Sequence, residues 1–451
     1  MLTGTEKNMG KKPMEALFAA AIAFALTACS IAANHGGLDQ AAPGQTKKSG
    51  IRLVNGRIEA DAALKAAAQA YEDKTGIPVE IESMGGGVEI QDVLKGYYKE
   101  GRMPDIFVCN KEEAFENWDG LLADLGDQEW VSDTETCYAD ESGRIIGFPV
   151  TTEAIGLACN ADLLEKAGID EDSITGPDSM RAAFGKLDAM KEELGLTAVV
   201  GWCPEAEDLH GYSWFHSMAN YLDAGLARSD TTYPDLFEQG RIDEERFRNY
   251  AEMVGLFNEY TDPDLIDGGT CDQQILGFSS GRYAFITQGS WISEVMTQDY
   301  ADEYADAGNF EVDLIPYAFE EGIDTVLTAS PFWWAVLENE NTQRSKDFLT
   351  WLSGSEGQRF LVEDGGFISP FRSCACIAED PFAQSIADYT NTGRTSAWHW
   401  LKEKAFMKEN VLGQLYLDYA LGSITDAEQF TEEAAELIGQ YFEPMQSVPL
   451  P

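Results

Sequence analysis

The first well-patterned stretch begins at Ile51–Val54, a short apolar run that predicts a strand. Residues Ala60 to Lys74 then carry apolar positions at Ala63, Leu64, Ala67 and Tyr71, the spacing of one helix face, and Gly76 and Pro78 stop it. Val79–Ile81 predicts a second strand. Gly85-Gly86-Gly87 turns the chain into a helix over Val88–Lys99, and Pro104 precedes a third strand, Asp105–Cys109. This β-α-β-α-β order predicts the start of a doubly wound parallel sheet. The triple glycine lacks G-x-G-x-x-G spacing and follows the second strand, so it is not a dinucleotide-binding turn.

A second informative stretch is Gly281–Trp291. Tyr283 to Thr287 reads as a strand, Gln288-Gly289-Ser290 as its turn, and Trp291 opens helical spacing through Ile292, Val295 and Met296. A strand feeding such a turn offers backbone N–H groups and an aromatic ring at a sheet edge, where open α/β sheets bind ligands. Trp291 fits a core plug equally well, because most large aromatics pack inside.

A chain of 451 residues exceeds one ordinary core, so two lobes are expected. The net charge of −47 speaks against nucleic acid and against contact between the protein surface and anionic lipid. At the N-terminus, Lys7, Lys11 and Lys12 precede an apolar run, Leu17 to Leu26, too short to span a membrane comfortably. It ends in Leu26-Thr27-Ala28-Cys29, which resembles a bacterial lipobox. Residues 1–28 are then expected to be a lipoprotein signal peptide, Cys29 the lipidated residue, and 29–50 a flexible tether. Beyond it lie Cys109, Cys137, Cys159, Cys203, Cys271, Cys374 and Cys376, an odd number that cannot all pair within the chain. Cys109 and Cys159 end apolar runs and are expected in the core. Cys374-x-Cys376 has neither zinc nor thioredoxin spacing, and no metal or cofactor is expected.

Met103-Pro104-Asp105-Ile106-Phe107-Val108, with Gly120-Leu121-Leu122-Ala123-Asp124-Leu125 after it, resembles the extracellular solute-binding proteins of sugar ABC importers, the relatives of maltose-binding protein. Gly147-Phe148-Pro149-Val150-Thr151-Thr152-Glu153-Ala154, running on through Gly156 and Leu157 to Asn160-Ala161-Asp162-Leu163-Leu164, is similar to that family's first crossing between lobes. Gly281–Trp291 looks like its second-lobe strand and tryptophan, Leu314-Ile315-Pro316 like the strand that crosses back, and Lys346–Gly357 like the helix after it. Each landmark is loose alone; their order is what carries the resemblance. It implies a two-lobed, type II periplasmic-binding-protein-like α/β fold, each lobe a doubly wound sheet flanked by helices. Lobe one is expected at 51–152 and 310–372, lobe two at 153–309 and 373–451, with sugar held in the cleft between them.

A sugar site needs flat rings for the C–H faces and planar polar groups for the hydroxyls. The expected ligand-binding set is Trp291, Glu153, Trp333, Trp334, Trp398, Trp400, Trp214, Asn110, Gln288 and Arg372. Trp333 and Trp334 adjoin in a strand-like run, so at most one faces the cleft. Trp398 and Trp400 flank His399 after Thr395-Ser396, read as a helix N-terminus. Trp214 fits the core as well as the site, and Trp118, Trp130, Trp202 and Trp351 are assigned to packing. Glu153, after the crossing proline, heads the polar set, although a hinge carboxylate bonded to backbone fits the same position. Asp262, Asp264 and Asp267 miss EF-hand spacing and read as a solvated turn. The leading expectation is a non-enzymatic receptor whose partners are an oligosaccharide and the membrane permease subunits of an ABC importer, with membrane contact through the lipid anchor only. A surface glycoside hydrolase and a structural adhesin are the alternatives.

Overall fold

The structure is a computed structural model, and it describes residues 50–85, 88–110, 112–208, 211–399, 406 and 409–446. Cys29, the expected signal peptide, the expected tether up to residue 49, and Trp400 lie outside the described residues.

The early β-α-β-α-β reading takes physical form in a six-stranded sheet. Its order is Val79–Ser83, Ile51–Asn55, Ile106–Cys109, Trp333–Val336, Ile145–Pro149 and Tyr138–Ala139. The first three strands are parallel, with Leu53 opposite Ile106; Trp333–Val336 runs antiparallel to both its neighbours. The helix Asp61–Thr75 buries Ala63, Leu64, Ala67, Ala68 and Tyr71, and Gly76 ends it at φ 71° by donating its N–H to Glu72. Both sheet faces are covered, so Ile106–Cys109 is buried throughout: Ile106 and Val108 join one core, Phe107 and Cys109 the other.

The same alternation corrects the expectation for the tryptophan pair. Trp334 stacks on Phe148 at 6.0 Å in the core beneath one face. Trp333 enters the opposite core beside Phe115 and Tyr138 and donates its indole N–H to Thr136 O at 2.7 Å. Neither ring is open to a ligand, because this strand lies inside a sheet packed on both sides.

Ile155–Cys159, one run in the sequence, is two strands in two sheets. Glu153–Ile155 pairs antiparallel with Val326–Ala329, which pairs in turn with Thr395–Ala397. Leu157–Asn160 belongs to a four-stranded sheet in the order Val312–Ile315, Leu157–Asn160, Tyr283–Ile286, Ala198–Gly201. Gly156 sits at the switch, where a Cβ would lie 2.9 Å from Ile315 O and 3.0 Å from Val326 Cγ1. Only glycine lets these backbones approach so closely.

Val312–Ile315 also corrects an expectation. It does not cross back to the first sheet but pairs antiparallel with Leu157–Asn160. The return runs through Val326–Ala329 and Ser330-Pro331-Phe332 into Trp333–Val336, so residues 312–329 contribute strands to the four-stranded and three-stranded sheets. Against the four-stranded sheet pack the helices Pro177–Ala189 and Glu244–Tyr260, with Phe184, Phe257 and Phe285 in contact between them. The helix Ala427–Gln446 lies along Glu244–Tyr260. Trp202, Trp118 and Trp130 are buried and Trp351 packs against the first core, as expected.

Candidate functional site

Strand direction decides where the site lies. The parallel strands of the six-stranded sheet end at Asn55, Ser83 and Cys109, and the next residues include Arg57 and Asn110. Phe332 precedes the antiparallel strand at that edge, and Ile145–Pro149 leads from it to Glu153. In the four-stranded sheet, Ala198–Gly201 and Tyr283–Ile286 run parallel and end at Trp202 and at Thr287-Gln288. Carboxyl ends of strands from both sheets therefore supply these residues, the usual ligand-binding position in open α/β sheets.

Trp291 follows the second of these edges. Its segment is a 3-10 turn, Ser290–Ile292, followed by a π-helical turn, Val295–Asp299, where the spacing had predicted a regular helix. The indole folds back over Gly289, and a Cβ at that position would come within 2.1 Å of the ring. Its N–H donates to Gln288 Oε1 at 3.0 Å, and Gln288 Nε2 donates to Gln274 Oε1 at 2.9 Å. Gln274 donates onward to Gly201 O at 2.7 Å and Thr287 Oγ1 at 3.0 Å. Gln288 is fully buried in this relay. It was expected to contact ligand; instead it orients the tryptophan, since its carbonyl and amide both have protein partners.

Two further rings meet Trp291. Trp398 stacks on it at 5.8 Å with 30° between planes, and His216 lies at 4.6 Å. Burial pushes the His216 imidazole down to about 3, so it is neutral at physiological pH. Thr395–Ala397, expected to begin a helix, is a strand paired with Val326–Ala329, and Trp398 is the next residue along. Its backbone N–H continues the ladder to Thr328 O at 3.3 Å.

Glu153 opens the crossing strand opposite Ala329. Its side chain is 15% exposed, and Oε1 lies 3.7 Å from Arg57 Nη2. Burial pushes the carboxyl up, opposed by the Arg57 charge. Arg57 also lies 5.3 Å above the Phe332 ring. Arg57 had escaped the sequence reading; its signal was a cation two residues past a parallel strand, after Gly56. The next residue, Ala154, donates its N–H to Ser290 Oγ at 3.0 Å, which brings Glu153 and Trp291 into one neighbourhood. Asn110 is exposed at the first sheet's edge.

The other candidates are placed elsewhere. Trp214 is wholly buried, stacked on Tyr416 at 5.4 Å, with its N–H on Asn410 Oδ1 at 3.0 Å; it is a core residue. Arg372 is committed to the 132–135 loop, through Ser132 O at 2.6 Å and Glu135 Oε1 at 3.1 Å. Glu135 reaches on to Arg228 Nε at 3.6 Å and accepts from Thr395 Oγ1 at 3.2 Å. Asp262, from the acidic turn, accepts the Asp264 N–H at 3.1 Å and the Tyr283 hydroxyl at 2.9 Å. Among the described residues no group of three or more His, Cys, Asp or Glu side chains could hold a metal ion, and no helix is long and apolar enough to cross a membrane.

What assembles is an aromatic platform, Trp291 and Trp398, beside the carboxylate of Glu153 with Arg57 at 3.7 Å. Rings of that kind offer flat apolar faces, and the ion pair offers hydroxyl acceptors and donors. None of the curated proteins compared with the chain matches it. Solved structures do, in fold. One is ligand-free RafE from Streptococcus pneumoniae, 17% identical, with 90% of this chain and 100% of that one covered and a TM-score of 0.62. A family 1 extracellular solute-binding protein from Bifidobacterium longum subsp. infantis is 16% identical over 88% and 99%, with a TM-score of 0.64. A sugar transporter protein from Bacillus licheniformis, in complex with stachyose, is 15% identical over 88% and 100%, with a TM-score of 0.54. The family model described as bacterial extracellular solute-binding protein matches residues 66–390, so the chain belongs to the bacterial extracellular solute-binding proteins.

Proposed function

We propose that the protein is a sugar receptor, specifically for oligosaccharides, that passes its ligand to the permease of an ABC importer. The observation that carries this reading is the stacked pair Trp291–Trp398 beside Glu153 and Arg57. An indole stacks on the C–H face of a sugar ring, and a carboxylate accepts hydroxyl protons in charge-assisted bonds. The fold relatives point the same way: RafE has been solved with raffinose, the Bacillus licheniformis protein with stachyose, and the Streptomyces glaucescens receptor GacH with acarbose. On this reading the chain performs no chemistry on the sugar. Cys29 carries lipid after removal of residues 1–28 and holds the protein at the outer face of the membrane.

Calorimetric titration with raffinose, stachyose and maltotriose tests binding, and product analysis of the same mixtures tests hydrolysis. Saturable binding with intact sugar supports the receptor. Released monosaccharide would establish a hydrolase instead. Trp291→Ala should weaken binding by roughly 30- to 1000-fold, the loss of about 2–4 kcal/mol typical of a stacked hot-spot ring.

A further inference from the structure

Asp223 ends the helix Ser213–Asp223 with a carboxylate only 1% exposed. A single residue engages both of its oxygens. Oδ2 accepts the backbone N–H of His399 at 2.9 Å, and Oδ1 accepts from the His399 ring Nδ1 at 2.6 Å. His399 directly follows Trp398, whose own N–H is fixed to Thr328 O at 3.3 Å. The backbone is thereby pinned on both sides of the Trp398 side chain. The same helix supplies His216, whose ring packs on Trp291 at 4.6 Å. One helix thus braces both halves of the platform.

A buried carboxylate is a costly way to secure a loop, and an apolar contact would stabilise it at least as well. What the carboxylate adds is direction, because two acceptors in one plane fix both the backbone and the ring of His399. The neighbouring cation, Arg228, is bound to Thr328 Oγ1 at 2.7 Å, Thr328 O at 3.1 Å and Ser396 O at 2.9 Å. It braces the strands on which Trp398 is mounted and leaves the His399 contact to Asp223.

We propose that Asp223 is a positioning residue for the sugar platform, setting the Trp398 ring against Trp291 through His399. The proposal rests on the reading of these two rings as the sugar site, and its test separates the two ideas. Stacked indoles at this distance couple their transitions, so the ligand-free protein should show an exciton couplet in circular dichroism. Trp291→Phe and Trp398→Phe, each abolishing it, identify the signal. His399→Ala, at a partly exposed position, should lose most of the couplet and bind raffinose roughly 10-fold or more weakly, as expected for a lost bond to a charged acceptor. His399→Asn, which keeps a donor near the Nδ1 position, should restore both; a purely space-filling role would not distinguish Asn in this way. Asp223→Asn should resemble His399→Ala. A wild-type couplet in His399→Ala overturns the proposal whatever the sugar result. If instead Trp398→Ala binds raffinose normally while the couplet depends on His399, the platform reading fails and the positioning role stands.

Discussion

The Ser290 hydroxyl accepts the backbone N–H of Ala154 at 3.0 Å, across 136 residues of sequence. That bond joins the first crossing strand to the turn carrying Trp291, so the leading carboxylate and the leading ring share one rigid junction. A hydroxyl bonded to backbone inside a buried junction is worth about 0.5–1.5 kcal/mol net and fixes relative position as well. The site is thus built from a sheet edge and a crossing segment rather than from a mobile loop.

Gly289 is the first test of that junction. Its φ of −99° suits any residue, so its role is space for the Trp291 ring, which a Cβ would meet at 2.1 Å. Gly289→Ala should displace the indole, cost about 1–3 kcal/mol of stability through overpacking, and weaken sugar binding by about 10-fold or more. Thermal melting and raffinose titration measure the two effects. Unchanged affinity would mean that the position of this ring does not govern binding.

Asp313 gives a stability prediction independent of the site. Burial, together with the negative charges of Glu171 and Glu311, pushes its carboxyl up to about 6 from an ordinary 3.8. A raised folded pKa means the folded state binds the proton more tightly. The favourable contribution is full below about 3.8 and is lost as pH rises through about 6. Asp313→Asn should therefore stabilise the protein at pH 7, by about 1–2 kcal/mol after allowance for partial exposure, and make little difference at pH 4. Denaturant melts at the two pH values check the sign, and a larger gain at pH 4 would refute it.

How much of this was legible in the sequence follows from what each signal encodes. The β-α-β-α-β opening could be read because helix faces and strand ends are local patterns. The turn at Gln288–Trp291 could be read too, since Gly-Ser after an apolar run marks a strand end. Partner choice could not: Val312–Ile315 is a short strand before a proline, apolar but for Asp313, and nothing in it names Leu157–Asn160 as its neighbour. The split at Gly156 was hidden because residues on both sides are apolar and the glycine's cause, close approach of Ile315 O, lies elsewhere in the chain. Trp333 and Trp334 misled because alternation says only that they face opposite ways; that both faces are roofed is a tertiary fact. Gln288 sat in the right place but with its amide committed to Trp291 and Gln274. Arg57 carried a local signal, a cation two residues past a parallel strand, but its pairing with Glu153 required the strand ends to be brought together.

The N-terminus makes a prediction that chemistry alone can check. On the proposed lipoprotein reading, Lys7, Lys11 and Lys12, the apolar run to Leu26 and the lipobox-like Leu26-Thr27-Ala28-Cys29 mark Cys29 for diacylation. Two acyl chains suffice for stable membrane anchoring where one gives only marginal binding. Mass spectrometry of protein from native membranes should find a mature chain beginning at acylated Cys29. A first residue other than Cys29 would exclude the lipoprotein assignment.

Glu153 supplies the last prediction, and its sign follows from its surroundings. Burial raises its carboxyl pKa and Arg57 only partly offsets that, so acidification neutralises this group before ordinary surface glutamates. A protonated carboxyl loses the charge that strengthens its bonds to sugar hydroxyls. Raffinose affinity should therefore fall as the solution is acidified through the Glu153 titration. Glu153→Gln should bind about 10-fold or more weakly at pH 7, the loss of about 1.5–3 kcal/mol for a charged hydrogen bond, and its affinity should lose that acid-side slope. Arg57→Met removes the opposing charge and should move the wild-type fall to higher pH. Titrations across pH on the three proteins decide it. A fall of equal size and midpoint in wild type and Glu153→Gln would assign the pH dependence to another group and remove Glu153 from the sugar site.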